Sequence, residues 1–178
     1  MRYSLLFLFL FSCNNDYTPK PRAYFKLDLP KKEFLIFEND DFLFSFPSYA
    51  KVENDKKSHF LNVNFSQFSG KLHTTFVRLD NNLLNHIEQS RSLAYKHNNQ
   101  ADIISEQVYI DKKNNVYGML YDYEGVTATS TQFYLTDSLE NFFRGSLYFN
   151  TEINDSIIPI NNFIKDDIRF LIETFRWK

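Results

Sequence analysis

Apolar and polar residues alternate with a period of two through Phe60-Leu61-Asn62-Val63-Asn64-Phe65, and again through Phe42-Leu43-Phe44-Ser45-Phe46 before Pro47. Successive side chains of a strand point to opposite faces, so this pattern commits the chain to a sheet with an apolar face. Gly70–Val77 is a third such segment, introduced by the turn pair Ser69-Gly70. Asp102–Ile110, Val116–Tyr123, Thr127–Thr136 and Asn141–Asn150 follow, rich in Thr, Phe and Tyr, with Lys112-Lys113-Asn114-Asn115 as a turn-like link. Connections this short predict an antiparallel meander rather than parallel strands joined by crossovers.

Two segments change the period. Asn82 is placed to cap a helix over Leu83–Asn98, with Leu83, Leu84, Ile87, Leu93, Ala94 and Tyr95 on one broad side. Asn85, Glu88, Gln89, Ser92 and Lys96 fall opposite at 100° per residue. A second helix starts near Ser156, accepts Pro159 in its first turn, and continues through Ile160, Phe163, Ile164, Ile168, Leu171 and Ile172. Each helix needs an apolar surface to cover, and the sheet supplies it. The expected class is α+β, an antiparallel sheet flanked by two main helices.

Composition narrows function by exclusion. Twenty Phe and 11 Tyr in 178 residues demand burial and argue against disorder. A net charge of −2 gives no general attraction for nucleic acid or an anionic membrane surface. Four glycines leave none for a phosphate-cradling loop, and one cysteine excludes a disulfide framework or a Cys-rich metal site. No cofactor is implied.

That cysteine has a more specific reading. Met1-Arg2-Tyr3-Ser4 precedes the apolar run Leu5–Phe11, and the small Ser12 stands directly before Cys13. This is the order of a secretory signal. Seven apolar residues cover only about a third of the ~30 Å hydrocarbon layer, too short to span it. Leu10, three before Cys13, completes a resemblance to the lipobox of bacterial lipoproteins, in which the cysteine is acylated; Phe11 departs from it. The expected organisation is a signal peptide over 1–12, a lipidated N-terminus and Pro-rich tether over 13–30, and one domain over 31–178.

Catalytic signatures are missing from the sequence. Of His59, His73, His86 and His97, only His86 and His97 share an element, about 16 Å apart by helical rise, too far to hold one metal ion. The pairs Asp40-Asp41 and Asp166-Asp167 are adjacent and read as solvated. Three charged positions stand out as interaction or structural sites: Arg91, His97 and Arg144. On the wheel Arg91 falls between Leu84 and Ile87, where a guanidinium either snorkels at the core edge or pairs with Asp122, Glu124 or Asp137. Ser90 and His97 lie on the margin of that face. Arg144-Gly145 interrupts the strand-like run Phe142–Phe149, on the exposed face of the sheet or in a ligand-facing patch.

Several spaced motifs together carry a resemblance. Tyr17-Thr18-Pro19-Lys20-Pro21-Arg22, Leu27-Asp28-Leu29-Pro30, Ser90–His97, Val116-Tyr117-Gly118, Arg144–Phe149 and Ile172–Lys178 look like the Bacteroidetes gliding-motility lipoprotein GldD family. The resemblance runs from Cys13 to the last residue. It implies a lipid-anchored envelope protein, required for gliding motility and tied to type IX secretion, without an assigned enzymatic activity. Its implied partners are other envelope proteins of that machinery, with the membrane reached through the lipid, a periplasmic orientation, and no nucleic acid. Phe44-Ser45-Phe46-Pro47, the middle helix, Tyr117-Gly118 and the ending Thr174-Phe175-Arg176 are also similar to PsbP/Mog1-like domains, which usually act as protein-binding accessories. The competing expectation is an envelope enzyme or small-ligand binder with a pocket around Ser90, Arg91, His97 and Arg144.

Overall fold

A computed structural model describes residues 28–55, 60–96, 101–125, 127–151, 153 and 156–178. The signal peptide, Cys13 and His97 lie outside the described residues, as does His59. In chain order the strands are β1 (Phe34–Glu38), β2 (Phe42–Pro47), β3 (Lys51–Asp55), β4 (Phe60–Phe65), β5 (Gly70–Arg78), β6 (Ile103–Asp111), β7 (Val116–Glu124), β8 (Thr129–Thr136), β9 (Asn141–Phe149) and β10 (Arg176–Trp177). Helix α1 (Leu83–Lys96) joins β5 to β6, and α2 (Ile158–Thr174) follows β9. The main sheet has the order β3-β4-β5-β9-β8-β7-β6, and a small second sheet has the order β1-β2-β10. Every pairing is antiparallel. The α+β class expected from the sequence is the one observed.

The small sheet is the main departure. β1 reads Phe-Leu-Ile-Phe, a continuous apolar run with no alternation, and Ile36 within it is 70% exposed. Its place comes from pairing with β2, Phe37 opposite Phe44, rather than from its own pattern. β3 reads Lys-Val-Glu-Asn-Asp, polar apart from Val52, and extends the edge of the main sheet beside β4. An edge strand of this kind carries mostly polar side chains and offers the core a single apolar one, too little for a period-two pattern to show.

The helix starts differ in detail from expectation. The Asn82 carbonyl accepts the N–H groups of Asn85 and His86. Its side-chain Oδ1, however, accepts from the backbone N–H of Asp80 and turns away from the helix. Pro159 does sit in the first turn of α2, where its missing N–H leaves no intrahelical bond unmade.

Period-two alternation sorts the main sheet into two faces. Phe133 and Leu135 of β8, Phe143 and Leu147 of β9, and Leu72 of β5 join Phe42 and Phe44 of β2 and Ile164, Ile168 and Leu171 of α2 in the larger core. On the other face Tyr121, Tyr123, Tyr134 and Phe142 pack with Ala94 and Ile87 of α1. The molecule is therefore layered, with α1 on one side of the seven strands and α2 plus the small sheet on the other.

The β8–β9 turn is held by one carboxylate. Asp137 Oδ1 accepts from the backbone N–H groups of Leu139, Glu140 and Asn141, each at 2.9 Å. Its Oδ2 accepts from Asn141 Nδ2 at 2.6 Å. Burial by itself raises this carboxyl; the Asn141, Leu139 and Glu140 N–H groups and the Asn141 amide together outweigh it and hold it below the usual range. A depressed carboxyl stabilises the fold above its unfolded pKa, and that stability is lost as pH falls through the folded value. Asp137→Ala should cost about 1–3 kcal/mol at pH 7, because several donors lose their acceptor. In urea unfolding, the gap from wild type should shrink below about pH 4, where the unfolded carboxyl protonates. Equal stability at pH 7 would show that the turn does not depend on Asp137.

Candidate functional site

The face under α1 is unusually polar for a covered surface. β9 directs Phe142, Arg144 and Ser146 to this side, and β8 directs Tyr134 and Gln132. Arg144 stands opposite Tyr134 and Ser146 opposite Gln132. The Arg144 guanidinium donates to Gln132 Oε1 at 2.5 Å. Burial pulls the Arg144 pKa below the ordinary arginine value, with Tyr148 and Tyr123 opposing that pull. Gln132 is only 2% exposed, yet its Nε2 has no hydrogen-bond partner, nor do the buried hydroxyls of Ser130 and Ser146. Tyr123 ties the layer to the helix by donating to the Ala94 carbonyl at 2.9 Å, and burial raises its phenol pKa.

Beside Arg144 a cavity of about 260 Å³ opens between α1 and strands β5 and β9. Its walls include Thr75 and Val77 from β5, Ser90 and Leu93 from α1, and Phe142 and Arg144 from β9. The His86 ring lies 5.3 Å from the Phe142 ring at the same wall.

Only part of the four-residue cluster expected from sequence assembles. Ser90, placed on the margin by the wheel, is instead buried at the centre of the α1 contact, and it shares the cavity with Arg144. Arg144 turns inward and is partly buried rather than lying on an open face. Arg91 is exposed, its guanidinium 5.8 Å from the centre of the Tyr95 ring. It pairs with none of the three carboxylates named for it. Asp122 pairs with Arg169 and Lys165, Asp137 closes its turn, and Glu124 is exposed. The reason is the width assigned to the apolar face. Leu84 lies about 100° round the wheel from Leu83 and is 74% exposed, so counting it as core widens the face over Arg91, away from the contact line through Leu83, Ile87, Ser90 and Ala94. His97 lies outside the described residues.

A second polar cluster went unrecognised in the sequence. Asp122 of β7 accepts from Arg169 of α2 at 2.5 Å and faces Lys165 at 3.5 Å, while Lys165 Nζ donates to the Tyr123 carbonyl at 3.2 Å. These side chains border an 870 Å³ cleft with Asp102, Glu124, Asn161 and Asp166. Nearby, the Asp167 carboxylate accepts from the Tyr49 hydroxyl and pairs with Lys32 at 3.0 Å. Burial, then Asp167, raises the Tyr49 pKa. Asp122 gave no signal of its own, because its partners come from a helix more than forty residues further on. Among the described residues, no group of three or more His, Cys, Asp or Glu side chains is arranged to hold a metal ion.

The outer edge of the main sheet is the remaining distinctive surface. β6 is nine residues long and pairs along its whole length with β7. Ile103, Val108 and Ile110 on it are 54%, 62% and 59% exposed. The opposite edge, β3, has five residues and includes Lys51 and Glu53.

A family model for the gliding motility lipoprotein GldD matches residues 14–177. The chain belongs to the GldD family. This GldD-family protein is accordingly a gliding motility lipoprotein, a description that places it at the cell envelope. No curated protein sequence matches it. In fold it is similar to the solution structure of cyanobacterial PsbP (CyanoP) from Synechocystis sp. PCC 6803, with a TM-score of 0.51 and 6% identity. That similarity covers 85% of this chain and 96% of the PsbP chain. At such low identity it speaks for the fold alone, and the PsbP-like expectation holds at that level.

Proposed function

We propose that this GldD-family lipoprotein is a non-catalytic accessory of the gliding and type IX secretion machinery. In this reading it is anchored through acylated Cys13, faces the periplasm, and binds another envelope protein along β6. The observation that carries the binding mode is the edge strand itself. Its nine residues contain no proline and no lysine, the usual guards against strand addition, and three large apolar side chains stand exposed along it. An added strand would satisfy the outward backbone groups and cover those side chains. Of the two charges on β6, Asp111 pairs with Arg176, and among the described residues Glu106 faces no cation, so the fitting partner is an extended segment with alternating apolar residues and a basic side chain opposite Glu106.

The test is complementation of a deletion strain. The deletion should abolish spreading and secretion of type IX cargo. The double variant Val108→Lys, Ile110→Lys should fail to restore either function at wild-type protein level, since both side chains are already exposed and the fold does not depend on them. A deletion strain that glides and secretes normally would refute the accessory role. Full rescue by the lysine variant would refute docking at β6. Cys13→Ser should leave the membrane fraction and take up no labelled palmitate.

A further inference from the structure

The Arg144 cavity has chemistry that docking at β6 does not use. A guanidinium presents five N–H donors in a planar fork. Arg144 spends one on the neutral Gln132 carbonyl, and among the described residues no carboxylate lies within ion-pair distance of it. A desolvated cation without a counter-charge is costly, and proteins seldom keep one without a use. Beside it in the same layer are the partnerless Gln132 Nε2 and the Ser146 hydroxyl. The helix that roofs the cavity adds no charge to its wall beyond neutral Ser90 and Gln89 and the imidazole of His86.

We infer that the cavity between α1 and strands β5 and β9 binds a monocarboxylate bearing one compact apolar group, with Arg144 as the carboxylate-binding residue. One guanidinium balances one negative charge, and its fork matches the two oxygens of a carboxylate. Val77, Leu93 and Phe142 supply the apolar walls for the attached group. The 260 Å³ available lies below the ~300–1,000 Å³ of sites for drug-sized ligands, which suits a group the size of one amino-acid residue. A peptide C-terminus and a small free acid share this chemistry. The site is on the opposite face of the main sheet from α2 and does not depend on β6.

The experiment is a titration of the lipidated protein in detergent micelles, followed by amide chemical shifts. The probes are N-acetyl-leucine, N-acetyl-leucinamide, inorganic phosphate and the peptide Ala-Ala-Leu with a free carboxylate. N-acetyl-leucine should shift the amides of Leu93, Phe142 and Arg144. Loss of its charge in the leucinamide should weaken binding by about tenfold or more, as for a hydrogen-bonded ionic contact. Arg144→Gln should weaken it to a similar degree, and Arg144→Lys less. Leu93→Gln, on the helix wall of the same cavity, provides a second weakened variant should Arg144→Gln fail to fold. Tighter binding of Ala-Ala-Leu than of N-acetyl-leucine assigns the site to peptide C-termini; the reverse order assigns it to a free acid. Equal binding of acid and amide, phosphate binding as tight as the carboxylate, or no shift by any probe at about 10 mM, the weak end of specific recognition, would overturn the inference.

Discussion

Phe143→Ala is expected to lower the thermal unfolding midpoint by about 6–20 °C. Phe143, the third residue of β9, is fully buried. Its ring lies 5.0 Å from Phe42 of the small sheet, 5.1 Å from Phe175 after α2, and 6.1 Å from Phe133 of β8. Removing it opens a void bounded by several rigid rings from separate elements, which cannot all collapse into it. Truncation of a buried Phe costs about 3–5 kcal/mol, and each kcal/mol moves the midpoint of a chain this long by about 2–4 °C. Ile36→Ala, at an exposed site on β1, should shift it by less than about 2 °C, in line with an effect within 0.5 kcal/mol. Circular dichroism melts of the two variants decide the matter. A shift for Phe143→Ala as small as that for Ile36→Ala would mean that the small sheet and the main sheet are not packed through this ring.

Gly118→Ala is expected to be nearly as damaging although it adds a single methyl group. A Cβ at this position would stand 2.1 Å from the Tyr134 carbonyl oxygen and 2.9 Å from Leu135 Cδ2. The first neighbour is backbone and cannot rotate away, so the β7–β8 ladder must part at Gly118 opposite Leu135. Overpacking usually costs 1–3 kcal/mol; with a main-chain atom in the way the cost should reach about 3 kcal/mol, or some 6–12 °C. Hydrogen exchange at β8 amides should accelerate in the variant even where it remains folded. Gly70→Ala is the matched control, since its Cβ would meet only the Phe149 ring at 3.1 Å and Ile164 Cδ1 at 3.6 Å. Stability of Gly118→Ala within about 1 kcal/mol of wild type, the level of an ordinary substitution, would sink this account.

These glycines also explain two of the motifs behind the family resemblance. Tyr117-Gly118 and Arg144-Gly145 invite a functional reading, but both glycines make room for β8. At Gly145 a Cβ would stand 2.4 Å from the Phe133 ring, which lies across the glycine. In these motifs the glycine is explained by packing, and Arg144 alone is left for chemistry.

How legible the fold was depends on whether an element shows its own period. β2 and β4 match the expected Phe42–Pro47 and Phe60–Phe65, because one face of each is apolar. β1, β3 and β10 have no such signature: one is apolar over its first four residues without alternation, one is polar apart from Val52, and one is only two residues long. They become strands because a neighbour offers them backbone partners. The same distinction governs the side chains. Arg144 was conspicuous as a charge inside a strand-like run, yet the choice between open face and covered cavity depended on where α1 came to rest. The wheel puts Arg91 at the core edge or in a buried pair because it counts Leu84 as core, and nothing local to α1 reveals that Leu84 faces solvent.

By itself, the sequence determined the α+β class, the antiparallel order of most strands, the two helices and the family, since each rests on residues close together or on motifs in line. Only the tertiary structure decided that the ten strands of the described residues divide into two sheets, that Ser90 and Arg144 meet while Arg91 turns away, and that Asp122 serves Lys165 and Arg169. Those outcomes depend on which faces of distant segments come into contact. A hydrophobic pattern specifies that a face must be covered, and the covering element then selects which polar side chains are buried with it.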